Sequence, residues 1–551
     1  MRRLVLVGLS GVGKSTAGAL AAERLGWRFV DTDAALEADA GMPVPEMFRC
    51  YGEAAFRQAE RAMLARALAD DDVVVATGGG AVVDAAVWAE DLLTRPGTLV
   101  AALDADPAVS LERLRAQQAA EGETAERPLL VGGDPLGRLQ AMKAQRQSAY
   151  DRAAIALVVD RTPPSQVAAE LARLVGPLAD EPDVLLRAHS GESRVWIEPG
   201  GVGALGARIA ARWPAARRVW VITDEHVGER HGATVVGVLA ERGFDARLRA
   251  VPAGEGSKSV AGASDLYDWM LGEGAERSQV VVALGGGVVG DLAGFVAATT
   301  LRGLGLAQIP TSLLAMVDSS VGGKTGINHA AGKNLIGAFY QPPVVVIDPR
   351  FLTTLPPREL RSGWAEIVKH GVIQPSTPGG ERADLARFLE RNAERLSRLE
   401  EPALSYLIRR NVALKAAVVM EDEREAGIRA YLNFGHTLGH AIEAADYHLL
   451  HGEAIALGMR AASRIGEAMG TCDAATVARI DAALDRFGLP RATEVDAERA
   501  LSLIGSDKKR ADGRQRWVLP LAEGGVTIRD DVPANIVRAG LEAVRAPVPV
   551  G

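Results

Sequence analysis

The chain has 551 residues, 24% of them charged, and a formal net charge of -8; that length exceeds one ordinary core and sets an expectation of about three or four domains. The acidic balance excludes a general nucleic-acid binder, whose phosphate-tracking surface needs a cationic excess. Two cysteines, Cys50 and Cys472, cannot build a disulfide framework and have no metal-ligand spacing around them, so a reducing, cytoplasmic setting is expected.

Arg2 and Arg3 before an apolar run imitate a secretory leader, but Lys14 interrupts the run and another template fits better. RLVLV reads as a strand, GLSGVGKST as a glycine loop and AGALAAERLG as a helix, so that Gly8, Gly13, Lys14 and Ser15 satisfy G-x-x-x-x-G-K-[ST]. In such a loop backbone N–H groups turn inward around phosphate oxygens, Lys14 reaches the outer phosphates and Ser15 can hold magnesium. WRFVDTDAALE then ends a second strand with Asp31 and Asp33, whose alternation predicts carboxylates pointing to one side; solvated loop acids are the bland alternative. Arg57 lies in the amphipathic EAAFRQAE, where a surface ion pair is the ordinary reading. VVVATGGGAVV is a strand running into Gly78, Gly79 and Gly80, EGETAERPLLVGGDP with Arg127 reads as a lid, and Arg146 follows in a helical stretch.

In order and spacing, GxxxxGKST, DTD, FRxxE, GGG, RPLL and KxxRxxxY closely resemble shikimate kinase over nearly all of residues 1–175. The resemblance implies ATP contacts from Gly11, Gly13, Lys14, Ser15, Thr16 and Arg127, and magnesium held by Ser15 and Asp31. It assigns shikimate to Asp33, Arg57, Gly79, Gly80 and Arg146, with Lys14, Asp33 and Arg127 catalytic. A small polyol acid needs an acceptor for its hydroxyls and guanidinium groups for its carboxylate, which these residue types supply.

TPPSQVAAELARLVGPLADEP passes through Pro177 and Pro182 and marks a short linker, residues 176–182, after the first domain at 1–175. Beyond it ARRVWVITDEHV and FDARLRAVPAGEGSKSV read as strands, and QVVVAL enters GGGVVGDLAGF, where Gly285, Gly287 and Gly290 satisfy G-x-G-x-x-G between a strand and a helix. That run is too interrupted by glycine and charge to span a membrane. The usual acid about twenty residues downstream is missing. From PPRELRSGWAEIVKHGVI onward helical periodicity dominates, and Glu366 and Lys369, three apart, read first as a helix-surface ion pair. LNFGHTLGHAIEAADYHLLHGE holds four of the nine histidines. Spacing nominates His436 and His440, about 40° apart on one helix, as a metal pair, with His451 before a glycine turn as a third imidazole.

GGGVxGDLxGF, QxPTxLLAxVDSSxGGKTxIN and GKNxIG, in this order, strongly resemble 3-dehydroquinate synthase. The resemblance implies NAD contacts from Asp224, Glu255, Lys258, Gly285, Gly286, Gly287, Asp291, Thr311, Ser312 and Lys333. Substrate, a heptulosonate phosphate, falls to Arg302, Asp318, Lys324, Asn334, Lys369, Lys415, Arg429, Asn433, His440 and one of Lys508 and Lys509, with Lys324, Lys369, Lys415, Asn433 and His440 catalytic. Zinc or cobalt falls to Glu366, His436 and His451, which moves His440 beside the leaving phosphate or a proton path and leaves His448 without a role.

The fold class expected is therefore α/β: a P-loop kinase three-layer α/β/α domain, an NAD-binding α/β domain at 183–348 and a mainly α-helical metal-binding domain at 349–547. The expected function is a bifunctional enzyme using ATP, magnesium, NAD and zinc on small-molecule substrates, with no nucleic acid or membrane partner and a homodimer through the synthase half. Two alternatives stay open here: a related kinase joined to another sugar-phosphate cyclase, or one half retained as an inactive regulatory module.

Overall fold

Strands buried on both faces need uninterrupted apolar runs, and the N-terminal segment supplies them. In the computed structural model, which describes residues 1–121, 133–176, 181–445, 448–507 and 515–546, these runs form β1 (Arg3–Val7), β3 (Val73–Ala76), β4 (Thr98–Asp104) and β5 (Ile155–Val158), and the partly exposed strand β2 (Arg28–Asp31) joins them at one edge. They pair in parallel in the order β2-β3-β1-β4-β5, with Val5 opposite Val75 on one side and Val100 on the other. Leu4 to Val7 have no exposed surface. The glycine loop leaves β1 where the order reverses, the usual place for a ligand crevice. Gly8 is required there: its φ is 140°, and a Cβ would sit 2.4 Å from the Leu103 carbonyl oxygen.

The chain folds into two compact units, Met1–Asp180 with Glu390–Ala403, and Glu181–Leu389 with Leu404–Gly551. The second unit contains β6 (Val184–Ala188), β7 (Gly191–Ile197), β8 (Arg218–Asp224), β9 (Asp245–Val251), β10 (Val280–Gly285), β11 (Gly305–Pro310), β12 (Lys324–His329), β13 (Gly332–Phe339) and β14 (Val344–Ile347). Seven of these make a sheet ordered β6-β7-β14-β11-β10-β8-β9, parallel except for the β6–β7 hairpin. The glycine-rich stretch after β11 forms the separate hairpin β12–β13.

Helices Pro357–Ile373, Ala403–Glu421, His436–Ala445, His451–Ala468 and Ala474–Arg486 follow. His451–Ala468 is the hub, packing against the helices on both sides of it in sequence and against Pro357–Ile373 and Ala534–Glu542. One small hairpin, β15 (Trp517–Pro520) with β16 (Val526–Arg529), interrupts the helical sequence. Among the described residues no helix is long and apolar enough to cross a membrane.

Candidate active sites

In the first unit Lys14 is buried at the start of the helix Lys14–Leu25, and its Nζ donates to the carbonyls of Gly8 and Leu9 at 2.9 and 3.0 Å. Burial draws its pKa down to about 8. Ser15 and Thr16 stand exposed beside it, and Ser15 Oγ donates to Asp31 Oδ2 at 2.5 Å. Asp33 is not on a strand, contrary to the alternation expected of it. β2 ends at Asp31, whose Oδ1 accepts from the N–H groups of Asp33 and Ala34 and so caps a helix, Thr32–Ala40, that carries Asp33 in its first turn. Burial, helped by Glu60 and Asp31, raises Asp33 to about 6.

The three glycines after β3 are where these groups converge. A Cβ on Gly78 would lie 2.5 Å from Glu60 Oε1 and 2.6 Å from Asp33 Oδ1, one on Gly80 2.6 Å from Arg57 Nη2, and one on Gly79 3.5 Å from Arg146 Nη1. Arg57 pairs at the surface with the exposed Glu53 at 3.6 Å but also turns inward. It donates to Glu60, whose side chain is 5% exposed, at 2.6 Å. Glu60 was not assigned a role from sequence, although FRxxE places it one helical turn from Arg57. Tyr150, at the end of the helix Pro135–Tyr150 that carries Arg146, donates to the Gly79 carbonyl at 2.6 Å. Arg127 and its segment lie outside the described residues.

In the second unit Gly286 precedes the helix Gly287–Thr299, and the Thr311 N–H donates to the Gly285 carbonyl at 3.0 Å. Ser312 Oγ lies 3.5 Å from a Cβ built on Gly286. Lys258 donates to Asp291 Oδ2 at 2.5 Å, Glu255 accepts from Asn328 at 2.8 Å, and Asp224 ends β8 capping the next turn. Lys333 pairs with Glu443 at 2.6 Å, and Asn334 has φ 58°.

Glu366 is fully buried, and its Oε1 accepts no hydrogen bond while lying 3.6 Å from His436 Nε2 and 3.7 Å from His451 Nε2. Ligand atoms around a tetrahedral zinc stand about 3.3–3.5 Å apart, so each imidazole nitrogen lies a small contraction away from sharing a metal with Glu366 Oε1. The other ring nitrogens are engaged: His436 Nδ1 faces the Phe434 carbonyl at 3.2 Å and His451 Nδ1 meets Glu443 at 3.1 Å, which leaves both Nε2 atoms pointing inward. Burial, with Lys369 nearby, holds the His436 pKa well below its ordinary value, whereas the Glu366 and Glu443 carboxylates outweigh burial and raise His451 to about 9, a proton that a bound metal would have to displace. His440 is exposed, its ring 5.1 Å from that of His436, and its nitrogen also falls within 4.8 Å of those of His436 and His451. His448 is exposed, and its carbonyl accepts from Arg358.

Asp318, Glu366 and His370 form a second close group. Two lysines already serve it: Lys415 donates to Asp318 Oδ1 at 2.8 Å, and Lys369 is ion-paired with Glu366 Oε2. Lys369 is 1% exposed, so the pair is a buried one and not the helix-surface bridge that spacing suggested. Against the cost of burial, Lys415 holds Asp318 down at about 2. Lys324 pairs with Glu425, which also accepts from Asn433 at 2.5 Å, while Arg429 is buried and donates to the carbonyls of Glu423 and Gly322. Arg302 is exposed with φ 67°, and Lys508 and Lys509 lie outside the described residues.

Gly452 does not form a turn. It lies in the first turn of His451–Ala468, where a Cβ would meet the Ser362 carbonyl oxygen at 1.9 Å, and a Cβ on Gly458 would meet that of Gly435 at 1.9 Å. The missing side chains let the His451 helix lie on the backbones carrying Glu366 and His436. Gly452→Ala is expected to destabilise the second unit by about 1–3 kcal/mol and to weaken metal retention, measured by calorimetry and zinc content; an unchanged melting transition would show that the contact relaxes freely.

The shikimate kinase family model matches residues 10–175, and the 3-dehydroquinate synthase N-terminal and C-terminal models match 248–362 and 363–510. A 3-dehydroquinate synthase from Synechococcus sp. is 44% identical over 356 residues, 64% of this chain and 95% of that protein. Another, from Symbiobacterium thermophilum, is 42% identical over 361 residues, 64% of this chain and 99% of that protein. Among solved structures, 2-epi-5-epi-valiolone synthase from Streptomyces hygroscopicus subsp. jinggangensis with NAD+ and Zn2+ bound is 28% identical, with a TM-score of 0.58, covering 64% of this chain and 96% of that one.

Proposed function

Because the chain belongs to the 3-dehydroquinate synthase family and carries a shikimate kinase domain ahead of that region, we propose that one polypeptide performs two reactions. The first unit phosphorylates shikimate with ATP to give 3-phosphoshikimate. The second converts 3-deoxy-D-arabino-heptulosonate 7-phosphate to 3-dehydroquinate and phosphate with NAD and zinc. Identity to 3-dehydroquinate synthases well above that to the valiolone synthase favours this cyclase over a related one. The observation that carries the synthase reading is the buried, unpartnered Glu366 Oε1 between two imidazole Nε2 atoms.

In the kinase Asp33 accepts the proton of the attacking hydroxyl, and Arg57 and Arg146 take the substrate carboxylate, with Glu60 fixing the Arg57 fork. Gly79 and Gly80 let the ring approach the backbone. Lys14 and the loop N–H groups neutralise charge on the transferred phosphoryl, while Ser15 and Asp31 hold magnesium. An Asp33 carboxyl near 6 predicts an acid limb: kcat/KM falls as the pH drops through about 6, because the protonated acid no longer accepts. Asp33→Asn is expected to lose about 10²–10⁴ in rate and the limb with it. A limb that persisted in the variant would assign the titration to another group.

In the synthase, bound NAD would supply reversible hydride acceptance at a substrate carbinol and zinc would supply polarisation of the adjacent oxygens. Glu366, His436 and His451 would hold the metal. Lys324, Lys369, Lys415 and Arg429 create the positive field that a carboxylate and a phosphate require. Asp318, anionic down to about pH 2, fixes Lys415 and can accept a substrate hydroxyl. His440, at the exposed rim, manages the proton of the leaving phosphate. For this half we also propose a homodimer, in which the exposed Arg302 offers its guanidinium to phosphate across the interface between copies; a monomer in sedimentation equilibrium would refute it.

Two assays on the purified chain test the whole reading: ADP formation with shikimate, and phosphate release from the heptulosonate phosphate. Failure of either beside active control enzymes removes that half of the function.

A further inference from the structure

Strand β5 is an edge of the first unit's sheet, and an edge strand leaves outward N–H and C=O groups to be satisfied. The residue that satisfies those of Ala156 lies 236 positions downstream, within the synthase sequence. Asn392 Oδ1 accepts from the Ala156 N–H at 2.9 Å and Asn392 Nδ2 donates to the Ala156 carbonyl at 2.9 Å, so a single carboxamide replaces a neighbouring strand. Asn392 has no exposed surface.

One turn later Arg395 donates Nε and Nη2 to the Ala153 carbonyl at 3.0 and 2.7 Å, and Nη2 also to that of Asp151. These carbonyls directly follow the helix Pro135–Tyr150, and a cation there suits the helix C-terminus. Arg391 completes the set, pairing with Asp151 at 2.8 Å and with Asp104 at 3.2 Å, while Lys143 grips Asp104 at 2.7 Å. The elements so held are those that carry substrate groups: Pro135–Tyr150 presents Arg146, and Tyr150 fastens the Gly79 backbone.

We propose that Glu390–Ala403 is a structural part of the kinase, an edge cap on β5 and the helix before it, so that shikimate phosphorylation depends on residues inside the synthase sequence. Nothing in the kinase motifs announces this dependence. The packing stands independently of the functional reading, and only its effect on phosphorylation rests on that reading.

The test uses the full-length chain with Asn392→Ala and Arg395→Ala made separately. Hydrogen exchange of the amides at 153–158 should accelerate by at least about tenfold, because the edge then opens locally. The kinase rate should fall severalfold, while phosphate release from the heptulosonate phosphate stays within about twofold of the parent. Should Asn392→Ala precipitate, Asn392→Ser, which keeps one hydrogen bond, is read the same way. Unchanged exchange and unchanged kinase rate in both variants overturn the proposal. Faster exchange in a chain whose parent does not phosphorylate shikimate would uphold the cap and reject the kinase reading instead.

Discussion

Lys14→Met is expected to lower kcat/KM for shikimate phosphorylation by at least about 10²–10³, the usual consequence of removing one preorganised charge donor from a transition state. Phosphate release by the second unit should not change. The stability of the first unit should also change little, and this separates a functional lysine from a structural one. The folded-state pKa of Lys14, about 8, lies below its unfolded value. Between about pH 8 and 10.5 the unfolded chain therefore binds the extra proton, and stability rises with pH across that window. At neutral pH the buried ammonium costs roughly 3 kcal/mol. Methionine removes that cost but leaves the carbonyls of Gly8 and Leu9 without their donor, so the two effects largely offset. A variant that kept phosphorylation within tenfold, or lost phosphate release as well, would refute independent sites with Lys14 at the phosphates.

Much of this arrangement was legible in the chain because local rules wrote it. RLVLV, VVVA and VVVALG are strands since a parallel sheet buries both faces, and the glycine loops follow them since a strand-to-helix turn around phosphate demands it. What escaped depends on tertiary context. The alternation of Asp31 and Asp33 was a sound strand rule applied two residues past the strand's end, because the Asp31 side chain starts a helix at that point. Gly452 resembled a turn in sequence, yet its function is to let a helix touch the Ser362 backbone, which no local pattern encodes. Glu60 drew no assignment from sequence and is buried against Arg57 and the glycine triad. Asn392 lies in ordinary helical sequence, and its partner is 236 positions away. A pairing across that separation has no signature in composition or periodicity.

His451→Ala should cost the synthase its metal and its activity together. The helical spacing of His436 and His440 is the stronger sequence signal; in the structure Glu366 Oε1 lies near His436 and His451, and the exposed His440 keeps a ring nitrogen within 4.8 Å of theirs. Losing an outer partner of a metal site costs about 10–100-fold in affinity, so losing a ligand should exceed about a hundredfold. Zinc measured after dialysis should fall from one equivalent toward none in His451→Ala and phosphate release should vanish, whereas ADP formation with shikimate persists. His440→Ala should retain the zinc and lose rate alone, since its role is with the phosphate proton. The carboxylate left behind in His451→Ala remains paired with Lys369, so the unit should stay folded although it loses the ion's contribution. The reverse pattern, zinc lost from His440→Ala and kept by His451→Ala, would restore the ligand pair that spacing alone selects. It would also leave the buried Glu366 Oε1 without a partner, a cost that a folded core does not carry without reason.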